Sequence, residues 1–281
     1  LLTIAACATL LSNTGVIAFA ADDETTTPTS PSIYGNLIEI KNGTMYANGI
    51  DGSTGIIYDI HDSEPYWYSG GENTLYVDGG SLIVHDYVSS SLTNGLLVAT
   101  SGNVTAEKDG TLTIATNSFI RRDVNLSVIQ DATLDITGGE VLFNTGDQID
   151  GKVVVSGGLL EIDNFTRNPS TTSAFEQTGG TITITGTGMD FASDRDSITG
   201  GTVNVGQNAT GGSLGVSHGY IGAGATVNIF ENSSMDVKGG NVTLDAGDTY
   251  RGDVTLSSGE LKLDSASKTY NATFTQSGGD S

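Results

Sequence analysis

Apolar and polar residues alternate along most of this chain, in short runs separated by glycine pairs. "DITGGEVLF" (135–143) has a near-twin in "DVKGGNVTL" (236–244). Strict alternation is the signature of β-strands, because successive side chains face opposite sides. The same unit, a glycine pair or its equivalent followed by x-apolar-x-apolar, recurs as "GGSLIV" (79–84), "DGTLTI" (109–114), "GGLLEI" (157–162), "GGTITI" (179–184), "GGTVNV" (200–205) and "SGELKL" (258–263). From Gly139 the second glycines fall at 158, 180 and 201, then at 240, 259 and 279. That is a period of about twenty residues, with the long step from 201 to 240 read as two units. Fixed self-similarity of this length marks solenoids and arrays. A longer echo runs through it: residues 131–163 align without gaps on 232–264, with twelve of 33 positions identical. The offset of 101 reads as about five periods, a duplicated block of repeats.

The parity of the alternation says what the glycines do. Leu134 and Ile136 share a face, as do Val141 and Phe143, yet Ile136 and Val141 are an odd number of residues apart. A straight strand would send the two pairs to opposite sides, so the chain must turn at Gly138-Gly139. The same odd step separates Val155 from Leu160, Val237 from Val242 and Leu256 from Leu261. Glycine suits such a bend because it tolerates positive φ and brings no side chain into it. Two all-β architectures satisfy this parity. One is a right-handed parallel β-helix, a solenoid of ~20-residue coils with a diglycine at a corner. The other is a hairpin-based β-sandwich or array, with the diglycine as a two-residue turn. The near-constant period favours the coil, since stacked coils of one circumference need equal lengths.

The ends of the chain differ from this pattern. Residues 1–20 form an apolar stretch closing on Ala18-Phe19-Ala20, the form of a secretory signal peptide cleaved between Ala20 and Ala21. "IAAC", ending at the single cysteine Cys7, offers a lipoprotein signal as the rival reading. No initiator Met or basic leader precedes it, and the chain stops just after Gly278-Gly279, so a piece of a longer protein, cut at both ends, is expected. Residues 21–32 read as a flexible linker, 33–78 as an aromatic-rich cap holding six of ten tyrosines and the only Trp, and 79–281 as the repeats. A formal charge of −22 repels phosphate backbones, which argues against nucleic-acid binding. With its one cysteine in the leader, the remainder has no disulfide and no cysteine metal site.

The signal peptide, the units of the form Gln-Ser/Thr-Gly-Gly-x-apolar-x-apolar ("EQTGGTITI", "TQSGGDS") and the acidic Gly/Thr/Asn-rich composition resemble the passenger regions of bacterial autotransporters and filamentous-haemagglutinin-like adhesins. The resemblance covers about 200 residues and rests on degenerate motifs. It implies an exported β-helix at the bacterial surface or outside the cell, presenting binding surfaces to a host protein or glycan. Membrane contact would come only through anchoring parts outside this sequence, since the family's C-terminal barrel is not in it.

Individual residues are weighed against that expectation. "GGSLG" (211–215) matches the nucleophile elbow at Ser213, with His218 nearby, but the elbow needs a strand-turn-helix setting, and a glycine-rich turn is expected. His61, His85 and His218 show no ligand spacing. Asp147, Asp150, Asp190, Asp194 and Asp196 are the acidic positions a β-helical polysaccharide lyase or hydrolase could use, Asp194-Arg195-Asp196 and Arg121-Arg122-Asp123 being the tightest clusters. Surface and turn charge is the default reading, so no catalytic residue, metal or cofactor is assigned, and the enzyme stands as the alternative. Arg251, Gly252 and Asp253 spell the integrin-type tripeptide, at the position where the earlier copy has an ordinary turn, Asp150-Gly151-Lys152. Tyr66, Trp67 and Tyr68 suit a sugar-stacking platform or, better, an end cap. Eight Asn-x-Ser/Thr sequons, Asn103, Asn125 and Asn241 among them, follow from composition. "TITITGT" (181–187) would suit ice binding only if Thr-x-Thr recurred on one face of successive coils, and the sequence has no such series.

Overall fold

The computed structural model of the chain describes residues 32–34, 37–40, 44–47, 73–85, 95–107, 110–163, 173–207, 210–268 and 272–281. The expected leader with Cys7 and the Ala20-Ala21 cleavage site, His61, and the aromatic run Tyr66, Trp67, Tyr68 lie outside the described residues. Among the described residues there is no helix, and therefore none long and apolar enough to cross a membrane.

Consecutive coils pair strand on strand in parallel, with about 21 residues to the coil. Three ladders of strands result. Ladder A runs through 74–77, 96–99, 119–120, 140–143, 159–163, 181–185, 201–205, 225–229, 249–250 and 267–268. Ladder B holds 81–85, 103–106, 124–128 and 148–149, then 189–191, 213–216, 234–237, 253–256 and 274–276. Ladder C holds 111–114, 133–136, 152–155, 174–177, 197–198, 220–221, 241–244 and 260–263. The chain visits A, B and C in turn, so each coil has three sides. Parallel stacking already joins 37–40 to 74–77 and 44–47 to 81–84. Antiparallel pairing among the described residues is confined to Ser32–Tyr34 against Leu37–Ile40 and a Gln207–Thr210 bridge. The solenoid is therefore the architecture, and the hairpin array is not: among the described residues no diglycine folds one strand back on the next.

The parity rule holds at the corners. Ile136 and Val141, Val155 and Leu160, Val237 and Val242, and Leu256 and Leu261 are all buried. Each faces the axis because the corner between them reverses the alternation. The inward residues of every coil join one continuous core from Ile40 to Ala272. A buried Val, Leu or Ile contributes roughly 1.5–3 kcal/mol against the conformational entropy of ordering the chain. Each coil gains this only by stacking on its neighbours.

Two details of the repeat differ from the sequence expectation. Gly138-Gly139, Gly157-Gly158, Gly179-Gly180 and Gly200-Gly201 turn the chain from ladder C into ladder A, whereas Gly239-Gly240 and Ser258-Gly259 turn it from B into C. The step from 201 to 240 thus covers five sides, not two whole coils of six. For the same reason the 101-residue offset spans four coils and two-thirds instead of five coils. The stacking of corners explains why glycine is needed. Gly158 has φ +67°, and a Cβ there would collide with the carbonyl oxygen of Gly139 in the coil beneath.

Candidate functional site

Several corners without a diglycine carry a buried polar side chain. Ser118, Asp147, Asp196, Ser233 and Asp248 each precede a strand, and each is buried. Each accepts a hydrogen bond from a backbone N–H twenty-one residues earlier, in the preceding coil. Ser118 Oγ accepts from Leu97 N (3.1 Å) and Ser233 Oγ from Gly212 N (3.2 Å). The aspartates use one oxygen for the preceding coil and the other for their own turn. Asp147 takes Leu126 N (2.9 Å) and Asn144 N (2.8 Å). Asp248 takes Val227 N (2.7 Å) and Asp245 N (2.7 Å). Asp196 takes Phe175 N (2.9 Å), Ala192 N (3.0 Å) and Ser193 N (3.1 Å). An unpaired buried N–H costs about as much as a lost hydrogen bond, so these side chains close gaps in the backbone ladder at the corner.

Burial pushes the Asp147 carboxyl up to about 6, against the two N–H bonds that favour its ionised form. Asp248 is raised by the same burial, and the nearby Asp245 charge adds to it. These aspartates are therefore structural clasps. Sequence reasoning treated Asp147 and Asp196 as surface acids and did not single out Asp248 as inward. The signal was present: Asn144-Thr145-Gly146-Asp147 and Asp245-Ala246-Gly247-Asp248 both precede a polar–apolar pair.

The remaining candidates are dispersed. Asp196 turns inward while Asp194 stands in solvent and pairs with His218 Nδ1 (3.0 Å), so Asp194 and Asp196 do not act together. Ser213 begins the strand Ser213–Val216, and its Oγ accepts from Ser234 Oγ (3.2 Å), so no strand-turn-helix elbow forms. Asp190 accepts from Ser217 N (3.2 Å) and Ser217 Oγ (2.9 Å). Asp150 accepts from Gln148 Nε2. Arg121 pairs with Glu140 (3.2 Å) and lies over the Phe119 ring, while Arg122 reaches Glu161 (3.6 Å) and Asp163. Among the described residues no three His, Cys, Asp or Glu side chains gather to hold a metal ion.

Arg251, Gly252 and Asp253 sit where ladder A turns into ladder B. Arg251 N donates to Ile229 O (2.7 Å) and Asp253 N to Ser233 O (2.9 Å), and Asp253 also accepts from Thr273 Oγ1. Gly252 is buried, because a Cβ there would meet the carbonyl oxygens of Ser233 and Phe230. The glycine answers to the stacking of the corner, and the two charged side chains are exposed.

The outward rows are tied to one another from coil to coil. Asn125 Nδ2 donates to Asn103 Oδ1 (3.1 Å), and Asn103 Nδ2 to Ser81 Oγ (3.0 Å). On ladder A, Asn228 Nδ2 donates to Asn204 Oδ1 (3.1 Å), and Thr249 Oγ1 to Asn228 Oδ1 (2.8 Å). The register also stacks Thr181, Thr202 and Thr226, with Thr183 beside Asn204 and Asn228. The Thr-x-Thr of "TITITGT" is thus continued as Thr-x-Asn on two further coils. Gln177, in the Gln-Thr-Gly-Gly motif, is buried at a position otherwise held by Val, Ile or Leu, and its Nε2 donates to Gly179 O (3.2 Å) and Thr202 O (3.1 Å). The motif's glutamine serves its own corner.

Comparison of the chain with family models, with curated proteins and with solved structures finds no match to any of them.

Proposed function

We propose that the chain is a structural rod, exported to the cell surface or beyond, which presents adhesive surfaces to a host protein or glycan. The observation that carries this reading is the uniformity of the coils: side after side repeats in register, with short corners and outward rows tied to each other. Such a construction yields a rigid, elongated scaffold whose faces are broad and regular. The acidic groups that a lyase or hydrolase would draw on are spent on holding corners, or pair one by one at the surface. A glycan array and host-cell binding with the whole chain, run beside a polysaccharide-degradation assay, test the proposal. Retention without turnover is expected. Turnover without retention would overturn it in favour of the β-helical enzyme. Within the binding assay, Asp253→Glu separates a role for Arg251-Gly252-Asp253 from general adhesion. Unchanged host-cell binding would leave the tripeptide as a corner and nothing more.

A further inference from the structure

The duplicated Gly-Asp corners have one property the other corners lack. At Asp147 and Asp248 a single carboxylate, 7% and 1% exposed, is shared between two coils, with one oxygen accepting an N–H from the preceding coil and the other an N–H from its own turn. Asp196 takes two N–H groups of its own turn on one oxygen besides that of the preceding coil, and Ser118 and Ser233 carry no charge. Among the described residues no cation is turned toward either carboxylate. Around Asp147, Arg122 reaches away to Glu161 and Asp163, Asp150 is held by Gln148, and Lys152 pairs with Glu176 (2.9 Å). Around Asp248 the nearest charge in its own turn is the like-signed Asp245, and in the following coil Asp264 is paired with Lys262 (3.4 Å).

We propose that Asp147 and Asp248 are proton-operated clasps, by which the rod is held together more firmly in mildly acidic surroundings than at neutral pH. The proton binds one carboxylate oxygen, which becomes a hydroxyl, and the other oxygen continues to accept a backbone N–H. The sign follows from linkage. A carboxyl whose folded pKa lies above its unfolded value binds its proton more tightly in the folded state. Ionising it therefore costs stability as pH rises from the unfolded value to the folded one. For Asp147 the window runs from the ordinary aspartate value of 3.8 up to about 6. Asp248 acts in the same direction. This is the reverse of a salt-bridged surface acid, whose contribution disappears on acidification.

The test is equilibrium unfolding of the whole chain at about pH 7.5 and about pH 5, for the native protein, Asp147→Asn and Asp248→Asn. The Asp147 clasp alone raises the folding equilibrium constant by about tenfold between those conditions. Asp147→Asn lacks that increment, whatever general gain the acidic surface makes as its repulsion falls. Amide resonances supply the second readout, and they need no variant. In the native chain the N–H signals of Leu126 and Asn144 titrate together with a midpoint near 6, and those of Val227 and Asp245 move in the same sense. A variant that gains as much on acidification as the native chain, or Leu126 and Asn144 signals that stay fixed across the interval, overturns the proposal.

Discussion

The two copies of the duplicated block, residues 131–163 and 232–264, have the same local geometry on different sides of the rod. In the first, 133–136 stand in ladder C and 140–143 in ladder A. In the second, 234–237 stand in ladder B and 241–244 in ladder C. Yet most buried positions correspond: Leu134 with Met235, Ile136 with Val237, Val141 with Val242, Asp147 with Asp248, Leu160 with Leu261, the exception being Ile162, whose counterpart Leu263 is exposed. The block was displaced by four coils and two-thirds, which is not a whole number of coils, and it still fits. The unit of this protein is therefore one side with its corner, not one coil. A side needs only an inward apolar pair, a neighbour above and below, and a corner that reverses the alternation. The three faces are interchangeable as far as the backbone is concerned.

Interchangeability is most severely tested at the glycine corners. Gly158 and Gly259 are the counterparts, at φ +67° and +82°, and a Cβ would strike Gly139 O in one case and Gly240 O in the other. Valine at either position combines left-handed strain with overlap against a fixed carbonyl. Each change is expected to cost about 3 kcal/mol or more, measured by chemical denaturation, and to cost the same within experimental error. A large inequality between them would show that the faces are not equivalent after all.

The next pair asks the same of the core. Leu160→Ala and Leu261→Ala each remove a fully buried side chain, at matching points on ladders A and C. Losses of about 2–5 kcal/mol are expected for each. Beyond Leu261 the described pairing is a single bridge of Glu260 to Asp280, whereas Leu160 is covered by a five-residue strand pairing. Its site can relax more readily, so the Leu261 loss should fall at the lower end. Equal losses would mean that the coil bridged at Asp280 is as rigid as the one paired along 181–185.

What could be read from the sequence follows from the same logic. The odd step between Ile136 and Val141 is a parity statement, so it survives without knowledge of the fold, and it predicts the corner. The face on which each diglycine falls could not be read, because corner lengths vary: two residues lie between Tyr250 and Asp253, but seven between Val205 and Ser213. A step of 39 residues is therefore compatible with either five sides or six. The inward aspartates were hidden for a different reason. A charged residue in a Gly-rich turn is by default a solvent-facing one. Only the register shows that Asp147, Asp196 and Asp248 each lie one coil beyond a backbone N–H that needs an acceptor.

Serine already fills this clasp at Ser118 and Ser233, which makes a graded experiment available. In Asp248→Ser the hydroxyl can keep the bond from Val227 N but must give up Asp245 N, now held at 2.7 Å. Loss of one bond from a partly buried turn, offset by removal of a buried charge, sets the expected cost at about 1 kcal/mol at neutral pH. Hydrogen exchange locates it: the Asp245 amide should lose protection while the Val227 amide keeps it. Loss of protection at both would mean that serine cannot span the gap on this face as it does elsewhere.

The smallest effect concerns the surface, where the two copies differ. In the first copy, half-exposed Arg122 reaches across two coils to Glu161 and Asp163. In the second, the position of Glu161 is taken by Lys262, which pairs with Asp264, just past the end of its own strand, at 3.4 Å. Both arrangements offset the same local excess of negative charge, one from a distant coil and one from the next residue but one. Exposed pairs are worth little because water and salt screen them and long side chains lose entropy. Arg122→Ala is expected to cost about 0.5 kcal/mol at low ionic strength, and the difference should vanish near 1 M salt. Lys262→Ala should cost less, because the pair it breaks ties no coil to another. A cost at Arg122 that persists in high salt would mean that its alkyl chain, not its charge, bridges the coils, and the corner at 121–123 would then belong with the packing of the rod.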